Sequence, residues 1–136
     1  MSIYFDGKGN IRPELLGTES EDVAKTFLFP GQGKALNSAQ LRRFYGDMKN
    51  LERKLDSRQQ TGNEADPFLA VLPLVKMVKS KVAYASNPRN AKVPPSFADW
   101  LKKNIDAIET ADDFKAFMLH FEAVVGFCYG LGMSNS

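Results

Sequence analysis

The chain has 136 residues, 43% of them hydrophobic, with ten phenylalanines, a single cysteine and a formal charge of +2. That is enough apolar material for one domain with a real core, and it excludes a disordered chain or a disulfide framework. No apolar run approaches the roughly 20 residues that span a bilayer. The opening "MSIYFDGKGN" lacks the basic start and apolar stretch of a signal peptide, so a cytoplasmic protein with no membrane partner is expected.

Taken in chain order, residues 1–17 are punctuated by Gly7, Gly9, Pro13 and Gly17 and predict an irregular or short extended segment. Thr18 and Glu21 have the spacing of a capping box, opening a short helix from about Glu19 to Phe29. "PGQGK" stops it and reads as a hinge. Residues 1–36 are therefore expected as an N-terminal arm, and residues 37–136 as a helical bundle domain. Asn37 or Ser38 caps the next helix, in which Leu41, Phe44, Tyr45, Met48, Leu51 and Leu55 form an apolar stripe at three- and four-residue steps. "QTGNEAD" is a turn. The helix after it, about Asp66 to Ala85, is apolar on nearly every side through "PFLAVLPLV", which predicts full burial, and Pro73 predicts a kink or a split. The loop "SNPRNAKVPP" leads to a helix from Pro95 to about Glu109 with Phe97, Trp100, Leu101, Ile105 and Ile108 at helical spacing. Thr110 and Asp113 make a second capping box for a last, mostly apolar helix, where Gly126 and Gly130 lie one turn apart and would admit a second helix closely. With strand patterns nearly absent, the fold class is all-α: a compact bundle of about five helices with an irregular N-terminal arm.

Chemistry-bearing constellations are scarce. "GQGK" at 31–34 resembles the end of a phosphate-binding loop, but Leu28 and Ala35 stand where Gly and Ser or Thr are needed. His120 and Cys128 are the single histidine and the single cysteine, two helical turns apart and too distant to share a metal or form a nucleophile pair. Cys128 reads as a small buried apolar residue and His120 as a surface or interface residue. Glu122 reads as an edge carboxylate paired to a Lys or Arg, and Asp112 and Asp113 as residues of a helix start. The expectation is no enzyme, no catalytic residue, no metal and no cofactor.

What remains is basic charge. Residues 37–60 carry six basic and three acidic side chains, residues 67–98 five basic and none acidic, and residues 99–136 three basic against six acidic. On the first of these helices Arg42, Lys49 and Arg53 align on one flank, with Arg43 and Lys54 further round, all off the core face. Lys76, Lys79, Lys81, Arg89 and Lys92 make up the acid-free window, and Tyr45 and Tyr84 nearby are suited to stack on a base or a ribose. Such a surface suits a polyanion bound by charge, without sequence readout. The competing reading is an ordinary solvated face.

Three stretches together resemble one family: "NSAQLRRFYGDMKNLE", "LVKMVKSKVAYASNPRN" and "FMLHFEAVVGFCYGLG" are similar, in order and spacing, to motifs of the small subunit of type III-A CRISPR effector complexes. The resemblance covers residues 37–132, and residues 1–36 match none of its motifs. It departs where the family often has Tyr-x-x-Gly-Arg, since Tyr84 is followed here by "ASNPR", and where His and Lys follow an aromatic, since Cys128 and Tyr129 follow Phe127. The resemblance implies a non-catalytic helical subunit of a prokaryotic ribonucleoprotein, lining the path of guide RNA and target RNA beside other subunits. Self-association is implied too, as a homodimer or as stacked copies. A protein that must follow any guide reads phosphates and shape and leaves sequence to base pairing. On that footing Arg42, Arg43, Lys49, Arg53, Lys76, Lys79, Lys81, Arg89 and Lys92 are the expected RNA-binding residues, Arg42, Arg43 and Arg89 first, because guanidinium holds phosphate in a fork. Two other readings stand beside it: a helical DNA-binding or regulatory module, and a protein-interaction bundle without nucleic acid.

Overall fold

A computed structural model describes residues 2–135 as a 3-10 turn, Pro13–Leu16, followed by five helices: α1 Thr18–Leu28, α2 Ser38–Thr61, α3 Phe68–Ala85, α4 Pro95–Ala107 and α5 Ala111–Gly130. The chemistry at the ends explains most boundaries. Asn37 caps α2, its Oδ1 accepting the Gln40 N–H at 3.0 Å, and Gly62 closes the helix at φ 66°, a left-handed position that suits glycine. Pro95 occupies the first turn of α4, where a missing N–H costs nothing. The Thr110–Asp113 capping box forms in both directions at the start of α5. The box expected at Thr18 does not form. Gly17 is the cap of α1 and Thr18 is already helical, because the 3-10 turn runs directly into the helix and Gly17 O takes the Glu21 N–H at 3.0 Å.

In space α1 packs on α5 and α4, α2 lies between α5 and α3, and α3 lies against α4. The helices enclose one hydrophobic core. At its centre, Phe27 of α1 meets Phe97 and Trp100 of α4 at 5.2 and 5.3 Å, and Trp100 meets Phe121 of α5 at 5.0 Å. Phe44 of α2 reaches Phe97 at 5.6 Å. Residues before Asn37 contribute Tyr4, Leu15, Ala24, Phe27 and Leu36 to the same core, and the Tyr4 hydroxyl donates to Asn104 Oδ1 at 2.9 Å.

α3 departs from its expected all-round burial. Phe68, Val71, Val75, Val78 and Val82 face inward at three- and four-residue steps, while Leu69 and Met77 are 63% and 58% exposed and Leu74 also reaches solvent. Pro73 does not split the helix. It sits on the exposed side, one turn into a helix that runs on to Ala85. Around Gly126 and Gly130 nothing stands within 4 Å of where a Cβ would lie, so no helix of this chain uses that approach.

Replacing Phe27 by Ala is expected to destabilise the whole chain by about 3–5 kcal/mol, as for a buried aromatic in a core. Urea unfolding followed by circular dichroism checks this. A main transition left in place, with only a minor early phase lost, would make residues 1–36 a separate unit.

Candidate nucleic-acid interface

The basic residues fall into two groups according to where the acids go. On α2 the carboxylates are turned to neighbouring helices. Asp47 Oδ2 lies 3.8 Å from Lys81 Nζ of α3, and Asp56 and Glu52 both hold Lys115 of α5, Glu52 at 3.7 Å. Glu52 also takes Lys49 at 2.9 Å, which raises the Lys49 pKa against the opposing effect of burial. Arg42, Arg43, Arg53 and Lys54 are exposed and have no acidic partner among the described residues. Arg42 Nε donates to Ser38 O at 3.3 Å, Arg53 to Asn50 Oδ1 at 3.1 Å, and the Arg43 guanidinium lies 5.2 Å over the Phe44 ring.

The stretch of α3 that is acid-free in sequence is not acid-free in space. Lys79 pairs with Asp106 of α4 at 2.8 Å, and Lys81 with Asp47 of α2. Lys76 donates to Ile105 O and Ile108 O at 2.7 and 2.8 Å, satisfying carbonyls at the end of α4, where Ile105 O otherwise takes only the Ile108 N–H at 3.3 Å. Arg89 and Lys92 have no such partners and stand exposed in the loop after α3.

The Lys81–Asp47 pair also fixes register. Asp47, Asn50 and Leu51 face Leu74, Met77, Val78 and Lys81 across a groove of about 220 Å³, so α2 and α3 run antiparallel. One turn beyond the ion pair on each helix stand Arg43 and Tyr84, brought to one edge of the bundle. The following loop returns to the same place, since the Lys92 N–H donates to Ala85 O at 2.7 Å. Arg42, Arg43, Arg89, Lys92 and Tyr84 therefore gather at one end, with Tyr84 77% exposed. Tyr45 is half-buried, its ring edge-on to Phe121 at 5.1 Å, and burial raises its pKa. Sequence reasoning had no means of separating these cations from Lys76, Lys79 and Lys81, because the distinguishing carboxylates and carbonyls come from other helices. It also passed over Lys54, which has the same signal: exposure without an acid.

A family model, Csm2 Type III-A, matches residues 11–129. The chain belongs to the Csm2 family. It is a small subunit of type III-A CRISPR Csm complexes, which makes it a member of a multi-subunit effector assembly. The family is a structural one and generally non-catalytic. No curated protein and no solved structure matches the chain. The match takes in α1 and the 3-10 turn as well as the first two stretches that carry the motif resemblance and the third as far as Tyr129. Among the described residues no helix is long and apolar enough to cross a membrane, and no cluster of His, Cys, Asp and Glu suited to a metal occurs.

The polar groups buried in this Csm2-family fold serve its packing. His120 is buried inside the bundle, where its sequence context suggested a surface or interface residue. Its Nδ1 lies 2.7 Å from Leu15 O, which can only accept, so Nδ1 carries the proton. Nε2 then accepts from the Trp100 indole N–H at 3.2 Å. Ser20 Oγ donates to the same Leu15 O at 2.6 Å. Burial lowers the His120 pKa, and the Leu15 hydrogen bond opposes it only in part. Cys128 is buried and its thiol is pushed up to about 11 by desolvation. Glu122 is exposed and makes no close ion pair among the described residues, although its charge acts on Lys49 and helps to raise that pKa.

A proton on His120 Nε2 would face the Trp100 N–H, donor against donor. The unfolded chain binds that proton near pH 6.5 and the folded chain only at lower pH. Stability from the neutral ring is therefore complete above about pH 6.5 and falls as pH drops towards the folded value. His120→Gln, which does not titrate, is expected to flatten the fall in stability below about pH 6.5 in urea titrations. An unchanged slope would remove His120 as the cause.

Proposed function

We propose that this Csm2-family small subunit binds RNA in its effector complex through sequence-independent backbone contacts along the path of guide RNA and target RNA. One arrangement carries the reading: the α2–α3 register sets Arg42, Arg43, Arg89 and Lys92 at one end of the bundle, and none has an acidic partner among the described residues, although carboxylates are available on α2 itself. Folding leaves these four for an external anion. Arg53 and Lys54 continue the surface along α2. Lys49, Lys79 and Lys81 line its flanks and join it by exchanging a carboxylate for a phosphate. Lys76 contributes its charge to the field while its ammonium caps α4. Phosphate contact of this kind needs no catalytic geometry, and it leaves the choice of target to base pairing.

Self-association, as a homodimer or as stacked copies, is the second part of the proposal. It is supported by the exposed side of α3, where Leu69, Leu74 and Met77 form an apolar strip that the chain does not cover. The occupant we assign to it is a second copy.

Two outcomes are expected. Arg42→Ala with Arg43→Ala weakens RNA binding equally across unrelated sequences and flattens its salt dependence by about 0.7 per lost single-strand contact, read by fluorescence anisotropy at several salt concentrations. Unchanged affinity and slope would return these arginines to ordinary surface charge, and a preference for duplex DNA at matched salt would favour a DNA-binding module. In sedimentation equilibrium the wild type associates and Met77→Glu shifts it to monomer. A monomeric wild type would refute the second part.

A further inference from the structure

The Tyr84 side chain has no partner in the fold among the described residues. Tyr84 is the most exposed of the large apolar residues, and its side chain makes no hydrogen bond and no ring contact among the described residues. A solvated aromatic of this size on the last turn of a helix is worth explaining when its surroundings are cationic. Arg43 lies at the same edge by register, Arg89 is in the adjoining loop, and Lys92 is held against Ala85. No acid pairs with any of the three among the described residues.

The mounting is firm. The loop after α3 turns twice on itself, with the Asn87 N–H on Tyr84 O at 3.2 Å and the Asn90 N–H on Asn87 O at 3.0 Å. The Asn87 side chain accepts the Arg89 N–H at 3.1 Å. Lys92 then returns to Ala85 O, and Val93 and Pro94 go directly into the core. The ring and its cations thus sit on a closed loop anchored at both ends, so little ordering is left for a ligand to impose.

We propose that Tyr84 is a stacking platform for one unpaired nucleotide, whose base lies on the ring while its flanking phosphates meet Arg43, Arg89 and Lys92. An aromatic face beside cations is how sequence-tolerant single-strand sites are built, because every base has a π-face. A base inside a continuous duplex is already stacked and unavailable. The site therefore takes a single strand, or a nucleotide extruded from a duplex. The inference rests on the RNA-binding reading above and adds a ligand chemistry that phosphate contact alone does not require.

The test uses the full chain and labelled RNAs of one sequence in four forms: single-stranded, single-stranded with abasic sites, fully paired, and paired with one bulged nucleotide. Tyr84→Ala is expected to weaken binding of the single strand about ten-fold, within the range for stacking one base on one ring. Tyr84→Phe keeps the affinity. The abasic and fully paired RNAs are unaffected, and loss on the bulged duplex separates an extruded nucleotide from a strand that must be free throughout. The salt slope stays unchanged, in contrast to the loss of Arg42 and Arg43. Wild-type binding of single-stranded RNA with no loss in Tyr84→Ala would overturn the inference and leave the phosphate-binding reading intact. So would an equal loss on abasic RNA, or a loss confined to association between copies. No RNA binding by the wild type would end both readings.

Discussion

The fold depends on Trp100. Five helices of 11 to 24 residues are marginal singly, so the bundle has to be closed by tertiary contact. Rings from α1, α4 and α5 converge on this one indole: Phe27, Phe97, Phe117, Phe121 and the imidazole of His120 all lie between 5.0 and 6.0 Å from it. Its N–H would be an unsatisfied donor there without His120, whose other nitrogen is tied to Leu15 before α1 begins. One polar chain thus runs through an apolar centre and fixes where α1, α4 and α5 stand. Close-packed interiors transmit such constraints, and the surface inherits its geometry from them.

That geometry sorts the charges. Asp47, Glu52 and Asp56 lie on the helix that carries Arg42, Arg43, Arg53 and Lys54, yet Asp47 and Asp56 reach sideways to Lys81 of α3 and Lys115 of α5, and Glu52 is shared between Lys49 and Lys115. Exposed ion pairs add little stability one by one. Their effect on the charge pattern is larger, because they hold Asp47 and Asp56 away from the arginines. Together with the loop that brings Arg89 and Lys92 back to the end of α3, this produces a cationic end on a chain whose net charge is only +2. A Csm2-family subunit with such an end suits a partner recognised by its charge and shape.

Local signals were legible in the sequence and long-range ones were not. The caps at Asn37 and at Thr110–Asp113 involve residues three apart, and both form as read. The box at Thr18 failed because a preceding 3-10 turn, which no apolar period announces, had already supplied the first carbonyl. On α3 an apolar residue stands at almost every position, so period carries no information about which side is buried, and Leu69 and Met77 proved to face outward. His120 looked peripheral because its partners, Leu15, Ser20 and Trp100, lie between 20 and 105 residues away along the chain. The same distance hid the pairing of Lys79 with Asp106, 27 residues away. The basic surface could be named from composition, but its division into paired and unpaired cations is a property of the assembled bundle.

The sideways pairing of the α2 carboxylates has a thermodynamic corollary. In an unfolded chain nothing holds Asp47 against Lys81 or Asp56 against Lys115, so these two carboxylates are free to offset the arginines of their own segment. In the native bundle they are drawn away, so the local field at that end is conformation-dependent. Any polyanion attracted to the native field alone acts by mass action as a folding ligand, raising stability by RT ln(1 + [L]/Kd). Under the proposed reading, assembly and structural integrity would share one equilibrium, with a bound polyanion helping to maintain the surface that holds it.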